Sequence, residues 1–323
     1  MKNKSYNTSL ILCLIVFFAS FTLDLAHAEK ESLIFNSGCY PGPYFPLAGA
    51  ISKIANEKVP DIKITVDPVT SAVISAKMIA RGDADFGIVR NDIAFYALKG
   101  AMPLFDKPVP NIRGVASLYT EYVQIMARKD AKIASIQDLK GKRVSVGPRG
   151  SAEEQSTLQI LEAYGMRFED LAKVKWLTVG QSASSLIKNE IDAFFYVIGI
   201  GYGPIKAAAS KIQTVIVPID DAHAEILIKK YPYYVKNNVL PGIYKGIDNP
   251  VPALSIMTMV ATKSNLNDNI VYQITKAMFE DTKSMGWAHG YGKQVKLKNA
   301  LVGMSVPLHP GAKKFYKEKG IIK

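Results

Sequence analysis

Apolar and polar positions along this chain switch repeatedly between the two-residue alternation of strands and the 3.6-residue rhythm of helices. Residues 32–36 (SLIFN) predict a first strand, which runs into a Gly/Pro loop over 37–46 and a helix over 47–56. Residues 62–66 (IKITV) alternate as a second strand, and Thr70 and Ser71 stand where a helix over 72–80 needs its cap. The stretch 78–97, MIARGDADFGIVRNDIAFYA, then reads as a helix end, a Gly turn, a buried strand over 85–89 and a polar corner, Arg90-Asn91-Asp92. Asp92 is the expected N-cap of the helix that follows. Strand ends that feed helix starts in this way are where open α/β sheets bind ligands.

That stretch recurs. Residues 188–197 read KNEIDAFFYV against RGDADFGIV at 81–89. Basic residue, turn residue (Gly82 or Asn189), acid (Asp83 or Glu190), apolar residue, aspartate (Asp85 or Asp192) and an aromatic-bearing apolar run follow in the same order. Two βαβ-type halves facing a shared gap are the expected architecture. Between the copies, 115–128 is β-rich and, at about 3.3 Å per residue, long enough to run past one lobe as a first crossing. A strand over 143–146, a Gly-bearing loop over 147–151 and a helix over 152–164 repeat the strand–loop–helix plan. A strand over 174–179 follows, with Gln181 and Ser182 leading into a helix over 183–188. Beyond a break at 199–204 come a helix over 205–212, a strand over 214–219, and a Pro-, Tyr- and Gly-rich excursion over 231–252. Residues 254–261 read as the return crossing, 267–285 as a periodic helix, and the tail as helical and basic. The expected division is 29–123 and 254–323 for one lobe and 124–253 for the other.

The amino terminus changes the picture of where the protein works. Lys2 and Lys4 precede an apolar run over 10–18, and Ala26-His27-Ala28 forms an A-x-A cleavage site. This is a secretory signal peptide over 1–28, and its run is too short to span a bilayer. A soluble protein exported to the periplasm is expected. Of two cysteines only Cys39 would remain, so no intrachain disulfide is expected, and a 48% apolar composition supplies ordinary cores instead. The net charge of +12 comes from scattered basic residues, with one cluster over 313–323. Without an aromatic-interleaved basic stripe it reads as a solvated surface, and no nucleic-acid partner is expected.

The segments LAGAISKIAN, ARGDADFGIVRNDIAFYA, DLKGKRVSVGPRGSAEEQSTLQILEAYGM, NEIDAFFYVIGIGYGPI and LNDNIVYQITKAMF resemble, in order and over nearly the whole exported chain, TAXI-type solute receptors of TRAP transporters. These are type II periplasmic binding proteins. The resemblance implies an α/β fold of two lobes, each a mainly parallel sheet flanked by helices, with a ligand cleft between them. It implies a monomeric receptor, without cofactor, that captures a small carboxylate-bearing solute, such as a glutamate-like amino acid or a dicarboxylate, and passes it to TRAP membrane subunits. The ligand loops depart from the family pattern around Cys39, Pro41 and Pro43, over 70–75, at Arg90-Asn91-Asp92 and at Gly150-Ser151-Ala152-Glu153.

Arg90, at the exit of a buried strand, offers a guanidinium fork for a carboxylate, or an ion pair with Asp92. Ser151 and the amides at its helix start form an anion seat or an ordinary cap. Glu153 belongs to the first helical turn; turned inward it favours a ligand with an amino group, or it pairs with Arg90 or Arg149. Tyr44 and Tyr196 serve as amphipathic walls or as core. For Asn91, Gln181 and Ser182, capping competes with ligand contact. Gly38, Thr70, Ser71, Gly150 and Gly199 complete the candidate set from the adjoining loops, and Cys39 reads as inert. His223, His289 and His309 lack metal-site spacing, so no metal is expected. Asp85-Phe86-Gly87 spells a kinase motif without its companions. Two alternatives to the receptor stand: a surface adhesion or immune-facing protein with a decayed cleft, and an exported enzyme.

Overall fold

The structure, a computed structural model, describes residues 30–38, 42–100 and 104–323; the expected signal peptide and Cys39 lie outside them. The chain opens with β1 (Glu31–Ser37), α1 (Tyr44–Lys58), β2 (Ile62–Pro68), α2 (Ala72–Arg81), β3 (Phe86–Arg90) and α3 (Asn91–Lys99). A 17-residue strand β4 (Ile112–Arg128) leads to β5 (Arg143–Ser145), α4 (Ala152–Ala163), β6 (Lys173–Lys175), α5 (Val179–Ile187) and β7 (Ala193–Ile198). Then follow α6 (Gly203–Lys211), β8 (Thr214–Ile216), α7 (Asp221–Lys230), β9 (Val235–Val239) and the long β10 (Val251–Lys263). The chain closes with α8 (Asp268–Glu280), α9 (Thr282–Ala288) and α10 (Pro310–Glu318).

The strands form one mixed sheet in the order β2-β1-β3-β10-β4-β7-β5-β6, with β9 beside β10 and β8 beside β4. The order is the same read inward from either end. Parallel β2-β1-β3 meets antiparallel β10, and parallel β6-β5-β7 meets antiparallel β4. β4 and β10 pair with each other from Ile112↔Lys263 to Tyr122↔Ser255, and β4 then continues along β7 from Tyr122↔Ile198 to Ala127↔Ala193. One strand thus serves both halves, as expected of a crossing.

The repeated stretch has the same geometry in both copies. Gly82 and Asn189 both take left-handed backbone (φ 84° and 59°) at the end of α2 and shortly after α5. Asp85 N–H donates to the Ile34 carbonyl (2.9 Å) while its carboxylate accepts from Ile34 N–H (2.8 Å). Asp192 does the same with Arg143 (2.8 and 2.7 Å). Each aspartate therefore ties the start of its strand to the neighbouring parallel strand, at mid-β1 for Asp85 and at the start of β5 for Asp192.

Several boundaries differ from expectation. Asp92 is not a cap: α3 begins at Asn91, directly after extended Arg90, and the Asp92 side chain turns to the Arg90 guanidinium. β6 is short, and α5 starts at Val179 because Thr178 and Gln181 form a reciprocal capping box. β8 ends at Ile216, short of the expected 219. The helix expected over 267–285 breaks at Asp281, whose carboxylate accepts from Ser284 N–H and hydroxyl and opens α9.

The largest apolar core joins the two halves, packing Ile93 and Ala97 of α3, Ile160 and Leu161 of α4, and Phe195 of β7. Within it lies a buried polar knot. Gln159 of α4 donates to the Tyr96 hydroxyl and accepts from those of Tyr233 (3.0 Å) and Tyr234 (2.8 Å).

Asp192→Asn is predicted to destabilise the fold by about 1.5–3 kcal/mol, the range for a hydrogen bond to a charged group. Burial opposes the Asp192 charge, but hydrogen bonds from Arg143 outweigh it and hold the carboxyl below its ordinary value. A carboxylate depressed in the folded state stabilises above its unfolded pKa and loses that contribution as pH falls through the folded value. The urea-unfolding difference between the Asp192→Asn variant and its parent should therefore shrink below about pH 4. A constant difference down to about pH 2 would contradict this role.

Candidate functional site

A cleft of about 1060 Å³ opens where the two halves meet. Tyr44, Ser71 and Arg90 line it from the first half; Gly150, Glu153 and Tyr196 from the second; Tyr119 and Glu121 from β4. His289 and Tyr291, in and beside the 3-10 turn Gly290–Gln294, close one side.

Arg90, the last residue of β3, is 6% exposed. Its Nε and Nη2 donate to Asp92 Oδ1 (3.1 Å) and Oδ2 (2.6 Å), and its Nη1 donates to Glu153 of α4. Burial opposes the guanidinium charge, but Asp92 and Glu153 outweigh it and hold it protonated. The fork expected to take a solute carboxylate is filled by two carboxylates of the chain itself. Glu153 thereby bridges the halves, one of the pairings its position allowed.

The start of α4 is filled in the same way. Ser151 caps the helix by accepting from Glu154 N–H (3.2 Å). Gly150 N–H donates to Glu154 Oε2 (2.5 Å), and Trp176 Nε1 donates to Oε1 (2.5 Å). Arg149 lies exposed at the rim with its guanidinium 3.8 Å from the centre of the Trp176 ring. Lys77 is the other exposed rim cation, 5.5 Å from the centre of the Phe105 ring.

Glu121, on β4, is likewise 6% exposed. Its Oε1 accepts from the hydroxyls of Tyr44 (3.2 Å), Tyr119 (3.1 Å) and Thr258 (3.2 Å). Burial pushes its carboxyl up, against the lowering influence of Arg90. Tyr119 stacks on Tyr291 (4.9 Å between centres), and Tyr44 meets Tyr119 edge-on at 6.3 Å. Gly199 allows this packing: a Cβ there would lie 2.3 Å from Tyr291 Cζ.

The remaining candidates lie outside the cleft lining. Gly38 backs onto the Tyr44 side chain. Thr70 is exposed beside the cap residue Ser71, which accepts from Ile74 N–H. Asn91 is buried and donates to the carbonyls of Tyr233 (2.9 Å) and Gly303 (2.8 Å). Gln181 is committed to Thr178, and buried Ser182 bonds the Ser145 hydroxyl (2.8 Å). Sequence reasoning missed Glu121, Tyr119, Thr258 and Tyr291. Glu121 had a signal, the one acid inside the β-rich crossing over 115–128; such residues are rarely buried without partners. Tyr291 had none.

Residues 35–320 match the profile of a known family. The chain belongs to the NMT1-like family. Among solved structures it is similar to PhnD1 from Prochlorococcus marinus in complex with methylphosphonate (11% identity, TM-score 0.57, covering 90% of this chain and 99% of that one). It is similar to the periplasmic sulfonate-binding protein SsuA from Methylobacillus flagellatus (18%, 0.54, 84% and 73%). A TctC solute binding protein from Polaromonas aligns likewise (13%, 0.51, 91% and 98%). These likenesses establish the fold, the two-lobed α/β architecture of periplasmic solute-binding proteins. Among the described residues no cluster of His, Cys, Asp and Glu is arranged to hold a metal, and no helix is long and apolar enough to cross a membrane.

Arg90→Ala is predicted to cost about 3–5 kcal/mol, because it leaves buried carboxylates without their cation. Chemical denaturation measures this directly. An unchanged midpoint would show that Arg90 does not hold the two halves together.

Proposed function

We propose that this chain is an exported solute-binding receptor that closes two lobes, 29–123 with 254–323 against 124–253, on a small solute and delivers it to membrane transport subunits. The observation that carries the reading is the cleft itself, lined from both halves of a duplicated sheet at strand ends and helix starts. Tyr44, Ser71, Glu153, Tyr196 and Gly199 are the proposed contacts among the residues singled out from sequence. The motif resemblance supports the TAXI branch of TRAP receptors and a carboxylate-bearing solute. The sulfonate and methylphosphonate named for two structural relatives widen the class to small organic acids. An acid group on the solute would meet Arg149 or Lys77 at the rim, since the Arg90 fork is engaged. The role is binding and not turnover, supported by acids and hydroxyls that serve one another as structural partners.

Native mass spectrometry of gently purified protein, with thermal shift across organic acids and amino acids, tests the proposal. A co-purifying solute is expected, and a true ligand at about a hundred times its Kd adds about 2.7 kcal/mol of stability. An empty spectrum with a flat melting temperature across the panel would sink the receptor reading, and turnover of a bound compound would replace it with an enzyme.

A further inference from the structure

Resting on the reading of the cleft as a receptor site, the distribution of partners inside it points to the chemistry of the solute. The two anion seats expected from sequence, at Arg90 and at the start of α4, are taken internally. Asp92 and Glu153 occupy Arg90, and Glu154 occupies the Gly150 amide at the start of α4. Asp92, Glu121 and Glu153 gather around Arg90 as the one cation in the interior of the cleft among the described residues; Lys77 and Arg149 stay at the rim. The opposite holds for one carboxylate. All three hydroxyl donors to Glu121 converge on Oε1, while Oε2 receives no hydrogen bond from any described residue. This side chain is more than nine-tenths buried and borders the cavity. Tyr44, Tyr119 and Tyr291 surround it with aromatic rings.

We propose that the solute carries a protonated nitrogen, which docks on Glu121 Oε2 among the rings of Tyr44, Tyr119 and Tyr291. An ammonium supplies a donor that no described residue gives Oε2 and brings a positive charge to an interior where acids outnumber the base. Aromatic rings add cation–π attraction that strengthens as water leaves. An acid group, where the solute also has one, points outward to Arg149 or Lys77. The subsite therefore selects amines and zwitterions over simple anions of the same shape.

The experiment is calorimetry on the full exported chain, with 2-phenylethylammonium, phenylalanine and 3-phenylpropionate as probes of matched shape and different charge. A thermal-shift panel of further aliphatic and aromatic amines, amino acids, carboxylates and sulfonates accompanies it. Compounds that bind are expected to carry an ammonium group and to lose at least about tenfold in affinity in Glu121→Gln, which keeps the shape and an acceptor for the hydroxyls. Should Glu121→Gln misfold, Tyr291→Leu carries the test: ammonium affinity falls by about twofold to tenfold or more, and Tyr291→Phe restores it. Binders that are all nitrogen-free anions, or ammonium binders indifferent to both substitutions, overturn this inference while leaving a receptor in place. Binding by no compound of either charge overturns the inference and the receptor reading together.

Discussion

The pairing of β4 with β10 is the constraint on which the rest of this molecule depends. Each half of the sheet ends in one antiparallel strand, and those two strands bond to each other from Ile112↔Lys263 to Tyr122↔Ser255. That seam fixes where β3 and β7 lie, and so where their carboxyl ends and the following helix starts face each other. Arg90, Thr258 and Tyr119 stand side by side in this register, on β3, β10 and β4. Glu121 follows Tyr119 by two residues, on the same face of its strand. The charged floor of the cleft is thus a product of strand register rather than of loop choice.

Buried charge explains why the floor is arranged as it is. A guanidinium taken out of water is tolerated only with excellent partners, and removing one partner costs more than the pair is worth. Arg90 meets that demand with Asp92 from its own chain turn and Glu153 from across the gap. Glu121 meets it with three hydroxyls on one oxygen. Local anchors repeat the logic elsewhere in the sheet, where Asp85 and Asp192 each hold an amide of a neighbouring parallel strand.

The architecture was legible because it is written in short-range pattern. The duplicated turn–Asp–strand stretch announces two equivalent halves, and the β-rich segment over 115–128 is too long for an ordinary strand. The start of α5 was misplaced because Val179 looks like strand, whereas the capping pair Thr178 and Gln181 decides. The cleft was only half legible. Arg90 and Glu153 could be named as cleft residues, but which partner each takes depends on how α4 approaches β3, 63 residues away in sequence. Glu121 gathers hydroxyls from positions 44, 119 and 258, a convergence no local window contains.

The knot around Gln159 has a mechanical consequence. Tyr96 belongs to α3 and Gln159 to α4, so any rotation that parted these helices would break their bond together with the Arg90–Glu153 pair. Two latches of different character, one uncharged and dry, the other ionic, would then release as a single event. A guest can favour the closed or the parted arrangement only by its differential affinity for one of them.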